Sequence, residues 1–431
     1  MPRMSSESGW LRVAWFLLPL ALAAVGCHRI TPKQSAGLSG SLVAATWRGP
    51  ERSGPPLPAK EFPPGNSANI EAGPQPRPTE AASRKWAAPP PQGPFTPAEL
   101  HAFAALEPID THAHVFVSDP DFVAMIERLH AHLLDICLDD DRSPFLKDLP
   151  REIREARRFI AASHGHAALC TSFNPFRCRQ PGFAATAIRQ LNRDFAQGAI
   201  AVKIWKNIGM EIKDARGRYI LPDDPVFAPI YRDIAARHKT LVAHVADPDS
   251  AWQPLDPRSP DYWYYTHFPE WYMYGKPHPA SKPAILRARD HLLAENPKLR
   301  VVGAHLGSME ADFAGLARRL DRYPNFAVDM AARMPYVALL PREQSIAFIT
   351  KYQDRLIYGT DLDYMPGADA GDEARRWENQ YARDWRFLAT DDWVEFDGRK
   401  SRGLALPRPV LRKLYHDNAV RWFAGILGGP A

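Results

Sequence analysis

The segment PIDTHAHVF, residues 108–116, places an acid and two histidines at every second position: Asp110, His112 and His114. Successive side chains of a β-strand point to opposite faces, so these three are expected on one face and the intervening residues on the other. Alone, the segment fits either a buried strand with hydrogen-bonded histidines or one edge of a metal site. The rest of the chain has to decide between these interpretations.

Seven further apolar runs of strand length follow the first one. They are HLLDICLD (132–139), AALCTSFN (167–174), AIAVKIW (199–205), TLVAHVA (240–246), RVVGAHL (300–306), FAVDMA (326–331) and RLIYGTD (355–361). Segments of helical periodicity with charged outer faces lie between them, such as PREIREARRFIAASH (150–164) and PAILRARDHLLAENP (283–297). Alternating strands and helices predict a parallel sheet. Eight such units over roughly 320 residues predict an α/β protein with a (β/α)8 TIM-like barrel, although an open doubly-wound sheet also fits the pattern.

The N-terminus has the layout of a signal peptide. Arg3 and Arg12 precede the apolar run VAWFLLPLALAAV, residues 13–25, which is too short to span a bilayer comfortably and leads directly into Gly-Cys. The ending AAVGC resembles a bacterial lipobox, with Ala24 in place of the usual leucine and Cys27 as the residue to be lipidated. We therefore expect residues 1–27 to be a lipoprotein-type signal and the protein to be exported to the periplasm and membrane-anchored. A plain secreted protein is the alternative.

A proline-rich stretch separates this signal from the folded part. Residues 50–97 hold 14 of the 42 prolines of the chain, a composition that cannot bury enough apolar surface to fold. We expect residues 28–95 to be a disordered linker and residues 96–431 to be the barrel domain. Thr96 is the expected N-cap of its first helix, with Pro97 at the first helical position and Glu99 in the first turn.

Bulk composition excludes some functions. Hydrophobic residues make up 45% of the chain, which is enough for a sizeable core, and the net charge of +5 over 431 residues is weak. No Lys/Arg-rich run is present, so nucleic-acid binding is not expected. Cys137, Cys170 and Cys178 show no CxxC spacing, which argues against a cysteine zinc site, and the sequence leaves their pairing open.

Polar residues fall late in the predicted strands. Lys203 and Trp205 end the fourth strand, His244 the fifth, His305 the sixth, Asp329 the seventh and Asp361 the eighth. The C-terminal strand ends of such a barrel converge on one face that houses the active site. Each residue alone is most simply a core histidine or a helix cap. Together they favour a divalent cation, because buried imidazoles and a carboxylate otherwise compete for hydrogen-bond partners.

With these residues in place, the chain resembles the amidohydrolase superfamily, and more narrowly the amidohydrolase-related (amidohydrolase 2) group of metal-dependent hydrolases and decarboxylases. The resemblance rests on DTHAH, VKIW, VAHVAD, GAHLGS and YGTDLDY and runs from about Glu107 to Gly425. It implies that His112, His114, His244 and Asp361 bind the metal, and that Asp361 is also the general base. It implies that His305 is catalytic, either binding a second metal or orienting substrate and water. Asp110 has no ligand role in this pattern and is expected to support the histidines or anchor the strand.

Lys203 is the ambiguous position. In two-metal members of the superfamily a lysine on strand four is carboxylated and bridges the ions, whereas the narrower group mostly uses one metal. We therefore expect one Zn²⁺, with Lys203 as a polar contact. A carboxylated Lys203 in a two-metal site, or an ordinary ion pair with a carboxylate, are the alternatives.

The implied function is hydrolysis of an amide, ester or lactone in a small-molecule substrate by a zinc-activated water, with Asp361 as general base. Metal-dependent, non-oxidative decarboxylation of a small carboxylic acid on the same site is the alternative, and a non-catalytic barrel lipoprotein is a third interpretation. Trp205, Arg333 and Tyr264 are the expected substrate contacts. Tyr264 lies in an aromatic loop, residues 260–283, that either lines the substrate mouth or packs onto the barrel. Membrane contact is expected only through the lipid anchor, and the resemblance leaves a homodimer open.

Overall fold

The structure is a computed structural model that describes residues 93–143, 146–259, 261–396 and 398–428. The predicted signal, the predicted lipidation of Cys27 and nearly all of the predicted linker lie outside the described residues. Within them, no helix is both long and apolar enough to cross a bilayer. Cys137, Cys170 and Cys178 are buried free thiols.

Nine strands, every neighbouring pair parallel, form the main sheet in the order β8-β7-β6-β5-β4-β3-β2-β1-β9. They are β1 Ile109–Val115, β2 His132–Ile136, β3 Ala167–Ser172, β4 Ala199–Ile204, β5 Thr240–Ala243, β6 Arg300–Gly303, β7 Phe326–Asp329, β8 Leu356–Ile357 and β9 Leu362–Tyr364. A separate antiparallel hairpin consists of β10 Trp393–Phe396 and β11 Arg399–Arg402. Each of the eight predicted strands is confirmed.

The strands β8 and β9 act as two parts of one irregular strand. β8 pairs with β7, and β9 pairs with β1. Between them, the N–H of Thr111 donates to the carbonyl of Tyr358 at 3.1 Å, and the N–H of Asp361 donates to the carbonyl of His112 at 2.8 Å. With β8 and β9 counted as one strand, the sheet closes into a barrel of eight strands. This confirms the (β/α)8 barrel over the open sheet.

Helices follow every strand of the barrel. The helices are α1 Pro97–Ala104, α2 Pro120–Arg128, α3 Leu149–Ala162, α4 Phe183–Ala196, α5 Asn207–Met210, α6 Ala228–Ala236, α7 Tyr262–His267, α8 Lys282–Glu295, α9 Ala304–Ser308, α10 Phe313–Arg322, α11 Met334–Leu339, α12 Arg342–Tyr352, α13 Ala370–Ala389, α14 Arg408–Arg412 and α15 Asn418–Trp422. The first of them begins as predicted. Thr96 accepts the N–H of Glu99 while the Glu99 carboxylate accepts the N–H of Thr96, a capping box that stabilises a helix start by about 1 kcal/mol.

Two apolar layers follow from the alternation of the strands. Inward residues such as Leu134, Val242 and Val302 form the barrel interior, which Trp422 and Phe423 also join. Outward residues pack against the surrounding helices in a larger cluster. This division leaves the polar residues at the C-terminal strand ends as the lining of the barrel mouth.

The predicted face of Asp110 is wrong. The register of β1 shifts between Asp110 and Ala113, so Ile109 joins the interior cluster while Asp110 turns outward to the hydroxyl of Tyr381 on α13, at 3.0 Å. Such a bulge inserts a residue into the strand and resets which side each residue faces. His112 faces the barrel mouth, where its ring lies with His305 and Asp361.

Candidate metal centre

Three predicted residues come together at the barrel mouth. His112 lies in the middle of β1, His305 follows β6, and Asp361 lies in the turn between β8 and β9. One side-chain ligand atom from each lies within 4.8 Å of the other two, which makes them a compact group of metal-binding type. His114 joins them, because its Nε2 lies 3.4 Å from Oδ1 of Asp361.

The Nδ1 atoms of these histidines all face oxygen acceptors. Nδ1 of His112 lies 2.9 Å from Oδ2 of Asp329, that of His114 lies 2.8 Å from the carbonyl of Ile136, and that of His305 lies 3.0 Å from the carbonyl of Ala331. A ring that donates through Nδ1 carries its lone pair on Nε2. The arrangement therefore presents neutral imidazole nitrogens toward the centre of the group.

Burial keeps two of these rings uncharged. It lowers the pKa of His112, and Lys203 lowers it further, against the opposing charges of Asp329 and Asp361. Burial likewise holds the pKa of His305 well below its ordinary value, with the neighbouring His244 adding to the effect. Both rings are therefore neutral at physiological pH, the state required of a metal ligand.

Asp329 organises the group, and its role was missed from the sequence. It is fully buried; Oδ2 faces His112, while Oδ1 accepts the N–H groups of His305 at 2.8 Å and Ala331 at 3.1 Å. Burial raises its pKa, but the facing His112 ring, the hydrogen bond from its Nδ1 and the nearby Lys203 outweigh this and leave the pKa below its usual value. One ionised carboxylate thus holds His112, on β1, and His305, after β6, next to each other. Its position at the end of strand seven was the only signal in the sequence.

Asp361 is the carboxylate at the centre. Its Oδ1 lies 3.3 Å from Nε2 of His112, and its side chain is 33% exposed, so one side opens to the mouth. Burial pushes its pKa up, yet the facing His305 and His112 rings and the nearby His114 hold that pKa well below the usual value. The carboxylate is therefore ionised over the neutral range.

The backbone is strained at these positions. His305 has φ of 58° and Asp361 has φ of 67°, both in the left-handed region that non-glycine residues seldom adopt. The strain continues through Leu306 and Ser308, at 55° and 59°. Such residues cost about 1 kcal/mol or more each and cluster at functional sites, where the surrounding structure holds them in place.

His244 lies beside the group rather than within it. Its ring centroid is 4.3 Å from that of His305, and its buried Nε2 has no hydrogen-bond partner among the described residues. Burial, followed by the charges of Lys206 and Lys203, holds its pKa well below the ordinary value. A buried ring nitrogen without a hydrogen-bond partner suits a metal ligand.

Lys203 lies inside the group. Its Nζ is 2.8 Å from Nε2 of His112, and it contacts this ring instead of forming an ion pair with a carboxylate of the described residues. Burial lowers its pKa against the opposing charges of Asp329 and Asp361. A cation bound at Nε2 of His112 would therefore have to displace this amine.

The predicted substrate contacts lie along one side of the mouth. Trp205 follows β4, and Tyr264 lies in α7; Nζ of Lys206 is 2.6 Å from the Tyr264 hydroxyl and 5.6 Å from the Trp205 ring. Lys206 was missed from the sequence because nothing in the segment KIWKN distinguishes it from a loop lysine. Its carboxylate partner, Asp247, was missed as well; it accepts from Lys206 with both oxygens at 2.8 Å.

Arg333 is buried, which rules out the ordinary surface ion pair. Its residue exposure is 8%, its Nη1 donates to the carbonyl of Ala332, and its Nε has no hydrogen-bond partner among the described residues. Oε2 of Glu310 lies 3.9 Å from Nε, which is beyond hydrogen-bonding distance. A buried guanidinium with a free N–H is suited to an oxyanion of a ligand.

These donors fit a divalent transition ion. Neutral imidazole nitrogens and one ionised carboxylate form the usual ligand set of zinc and its neighbours, and each ring has an oxygen acceptor behind it. The orphaned Nε2 of His244 and the convergence of His112, His305 and Asp361 agree with this fit.

Comparisons with known proteins place this geometry in context. A family model described as Amidohydrolase matches residues 109–425. No curated protein matches the chain. Similar solved structures include 2,6-dihydroxybenzoate decarboxylase from Rhizobium, at 15% identity, covering 73% of this chain and 98% of the other with a TM-score of 0.41. They also include 5-carboxyvanillate decarboxylase from Sphingomonas paucimobilis, at 14% identity, 74% and 99% coverage and a TM-score of 0.42. A probable 2-pyrone-4,6-dicarboxylic acid hydrolase from Acinetobacter baumannii has 11% identity, 74% and 99% coverage and a TM-score of 0.41.

Proposed function

The chain belongs to the amidohydrolase family, and from that premise we propose that it is a metal-dependent hydrolase of a small amide, ester or lactone. The observation that carries the proposal is the compact group of His112, His305 and Asp361, whose ligand atoms lie within 4.8 Å of one another. These three would hold one divalent ion, most simply zinc, with His114 and His244 alongside.

When bound, a divalent ion supplies Lewis acidity, which acidifies a water molecule and polarises a carbonyl oxygen. Asp361 is the residue that moves the proton. Its carboxylate is ionised and partly open to the mouth, so it can accept a proton from water at Oδ1 or Oδ2 and return it to the leaving group.

The tautomer of His305 determines how this ring can act on the same water. Because its Nδ1 faces the carbonyl of Ala331, Nε2 carries a lone pair and accepts rather than donates. It would therefore bind the ion or accept a hydrogen bond from the attacking water, and it would not donate to an oxyanion. This narrows the catalytic role expected for His305.

Non-oxidative decarboxylation is the second candidate, and Arg333 is the observation that favours it. A buried guanidinium with an unpaired Nε beside the site suits a substrate carboxylate. Hydrolysis remains the primary proposal, because an ionised Asp361 is ready to take a proton from water but has none to give to a carbon in its resting state.

Metal analysis of gently purified protein tests the proposal. We expect about one zinc, manganese or iron per chain. Hydrolysis of esters and lactones should exceed background, and His112→Ala should abolish both metal and activity while Lys351→Met, an exposed change on α12, should leave both intact. Absence of bound metal, together with no activity after added metal, would refute the enzyme and favour a scaffold. Release of carbon dioxide from carboxylates without ester or lactone hydrolysis would favour the decarboxylase.

A further inference from the structure

A segment rich in aromatic residues covers the side of the barrel mouth next to β4 and β5. We call residues 261–274 the aromatic cap; it contains α7 and a short 3₁₀ turn, Pro269–Trp271. Backbone hydrogen bonds order the cap: within it, the N–H of Phe268 donates to the Tyr264 carbonyl at 2.8 Å, and the N–H of Met273 donates to the carbonyl of Ala251, outside the cap, at 2.8 Å.

One buried cation from the barrel contacts the cap at several points. Lys206 is 2% exposed, and its Nζ donates to the hydroxyl of Tyr264 at 2.6 Å. The same Nζ lies 4.4 Å from the ring centroid of Trp271 and 4.7 Å from that of Tyr264. Cation–π contacts of a desolvated ammonium are stronger than those at exposed sites, so the cap gains most from Lys206 while it stays closed.

A carboxylate of the barrel holds Lys206 in that position. Both oxygens of Asp247, in the loop after β5, accept from Nζ at 2.8 Å. Oδ1 of Asp247 also lies 3.4 Å from Nε2 of His244. The group that holds the cap is therefore contiguous with the candidate metal centre.

Two further side chains of the barrel contact Trp271. Its ring lies 4.9 Å from that of Trp205 in an edge-on arrangement, and the guanidinium of Arg142, in the loop after β2, lies 5.5 Å from it. The ring is thus contacted by two cations and one aromatic side chain of the barrel. These contacts, like those of Tyr264, would be lost if the cap moved outward.

We propose that Lys206 is a latch: a positioning residue that holds the aromatic cap against the barrel mouth through Tyr264 and Trp271. Opening of the cap, needed for a bulky substrate to enter or its product to leave, requires these contacts to Lys206 to break. The consequence for catalysis rests on the proposed function, whereas the attachment of the cap does not.

Hydrogen–deuterium exchange of the full chain tests the latch without any substrate. In Lys206→Met, we expect amides of the cap, such as those of Phe268 and Met273, to exchange at least tenfold faster. Peptides from α3 and α12 should keep their wild-type rates. Lys206→Arg retains a cation near the aromatic rings and should restore most of the protection. Lys351→Met is the matched control, because it removes an exposed lysine that also lies over a tyrosine ring, at 4.7 Å.

A milder variant covers the case in which Lys206→Met does not fold. Tyr264→Phe removes only the hydroxyl bonded to Nζ and keeps the buried ion pair with Asp247; it should speed exchange of the cap about threefold. If Lys206→Met folds and its cap exchanges at the wild-type rate, the latch is overturned. If Lys206→Met does not fold, a wild-type exchange rate in the cap of Tyr264→Phe overturns it instead. Acceleration spread evenly over the barrel would also overturn it.

Kinetics then test the catalytic consequence separately. If the protein hydrolyses esters, the KM of Lys206→Met for a bulky aromatic ester should change at least fivefold more than its KM for a small acetate ester. Equal changes for the two esters would overturn gating by the cap. Absence of hydrolysis in the wild type would refute the proposed function and leave the exchange result to decide the latch.

Discussion

Replacing Asp329 by asparagine should weaken metal binding without removing any ligand. Asparagine has the same size, and its Oδ1 can still accept the N–H groups of His305 and Ala331. Its Nδ2 would face Nδ1 of His112, where Oδ2 of the carboxylate now lies at 2.9 Å. Two donors would then point at each other.

The imidazole can relieve this conflict only by moving its proton from Nδ1 to Nε2. It then has no lone pair to offer to a metal ion, and its new N–H meets Nζ of Lys203, now 2.8 Å away. Loss of a partner that orients a metal-binding histidine costs about 10- to 100-fold in metal affinity. That range corresponds to about 1.4 to 2.7 kcal/mol of binding free energy.

Competition with a zinc-buffering chelator measures this affinity directly. Asp384→Asn is the matched control: Asp384 is equally buried, accepts from the hydroxyl of Tyr358 at 3.0 Å, and lies on α13. It should bind zinc like the wild type. A folded Asp329→Asn protein with wild-type affinity would refute the assignment of Asp329 as the group that fixes the His112 tautomer.

Three further predictions concern other groups. Asp361→Asn should lower kcat by about 10²- to 10⁴-fold because the base is lost, and steady-state assays of a metal-loaded, folded variant check this; wild-type turnover would exclude Asp361 as the base. Arg333→Lys keeps the charge but loses the planar fork, so KM for carboxylate-bearing substrates should rise about 10- to 100-fold while KM for uncharged esters stays constant. Burial raises the pKa of Asp135 to about 7, so ionisation opposes folding, and the free energy of unfolding should fall by up to about 4 kcal/mol as the pH rises from about 4 to about 7. Urea titrations should show a flatter dependence for Asp135→Asn, and parallel curves for the two proteins would contradict the shift.

The sequence predicts the strands well because each carries its own local signal. An apolar run with a polar residue at its end indicates a barrel strand, whatever the sequence of the loops on either side. The capping box at Thr96 is equally local, since all its atoms lie within four residues. The convergence of His112, His305 and Asp361 follows from the fold once the strand order is known.

The parts that sequence reasoning missed depend on distances between remote residues. Lys206 and Asp247 are 41 positions apart and meet only because β4 and β5 are neighbours. The sequence shows Asp329 at the end of a strand, yet its alignment with His112, 217 positions away, depends on the curvature of the barrel. Short helices in the aromatic loop were also missed, because bulky aromatic runs have no clear helical periodicity.

The displacement of Asp110 shows how the missed backbone detail serves the site. Its Oδ1 accepts the N–H groups of His112 and Thr360, each at 3.0 Å, and its Oδ2 accepts the Thr360 hydroxyl at 2.6 Å. On the outward face, the same Oδ2 also accepts the hydroxyl of Tyr381, at 3.0 Å. By turning outward at the bulge, one carboxylate ties the start of the histidine pair to the residue preceding Asp361, whose φ is 67°. Asp110 therefore anchors two sides of the candidate centre without contacting it, and the irregularity that broke the alternation is the feature that allows this.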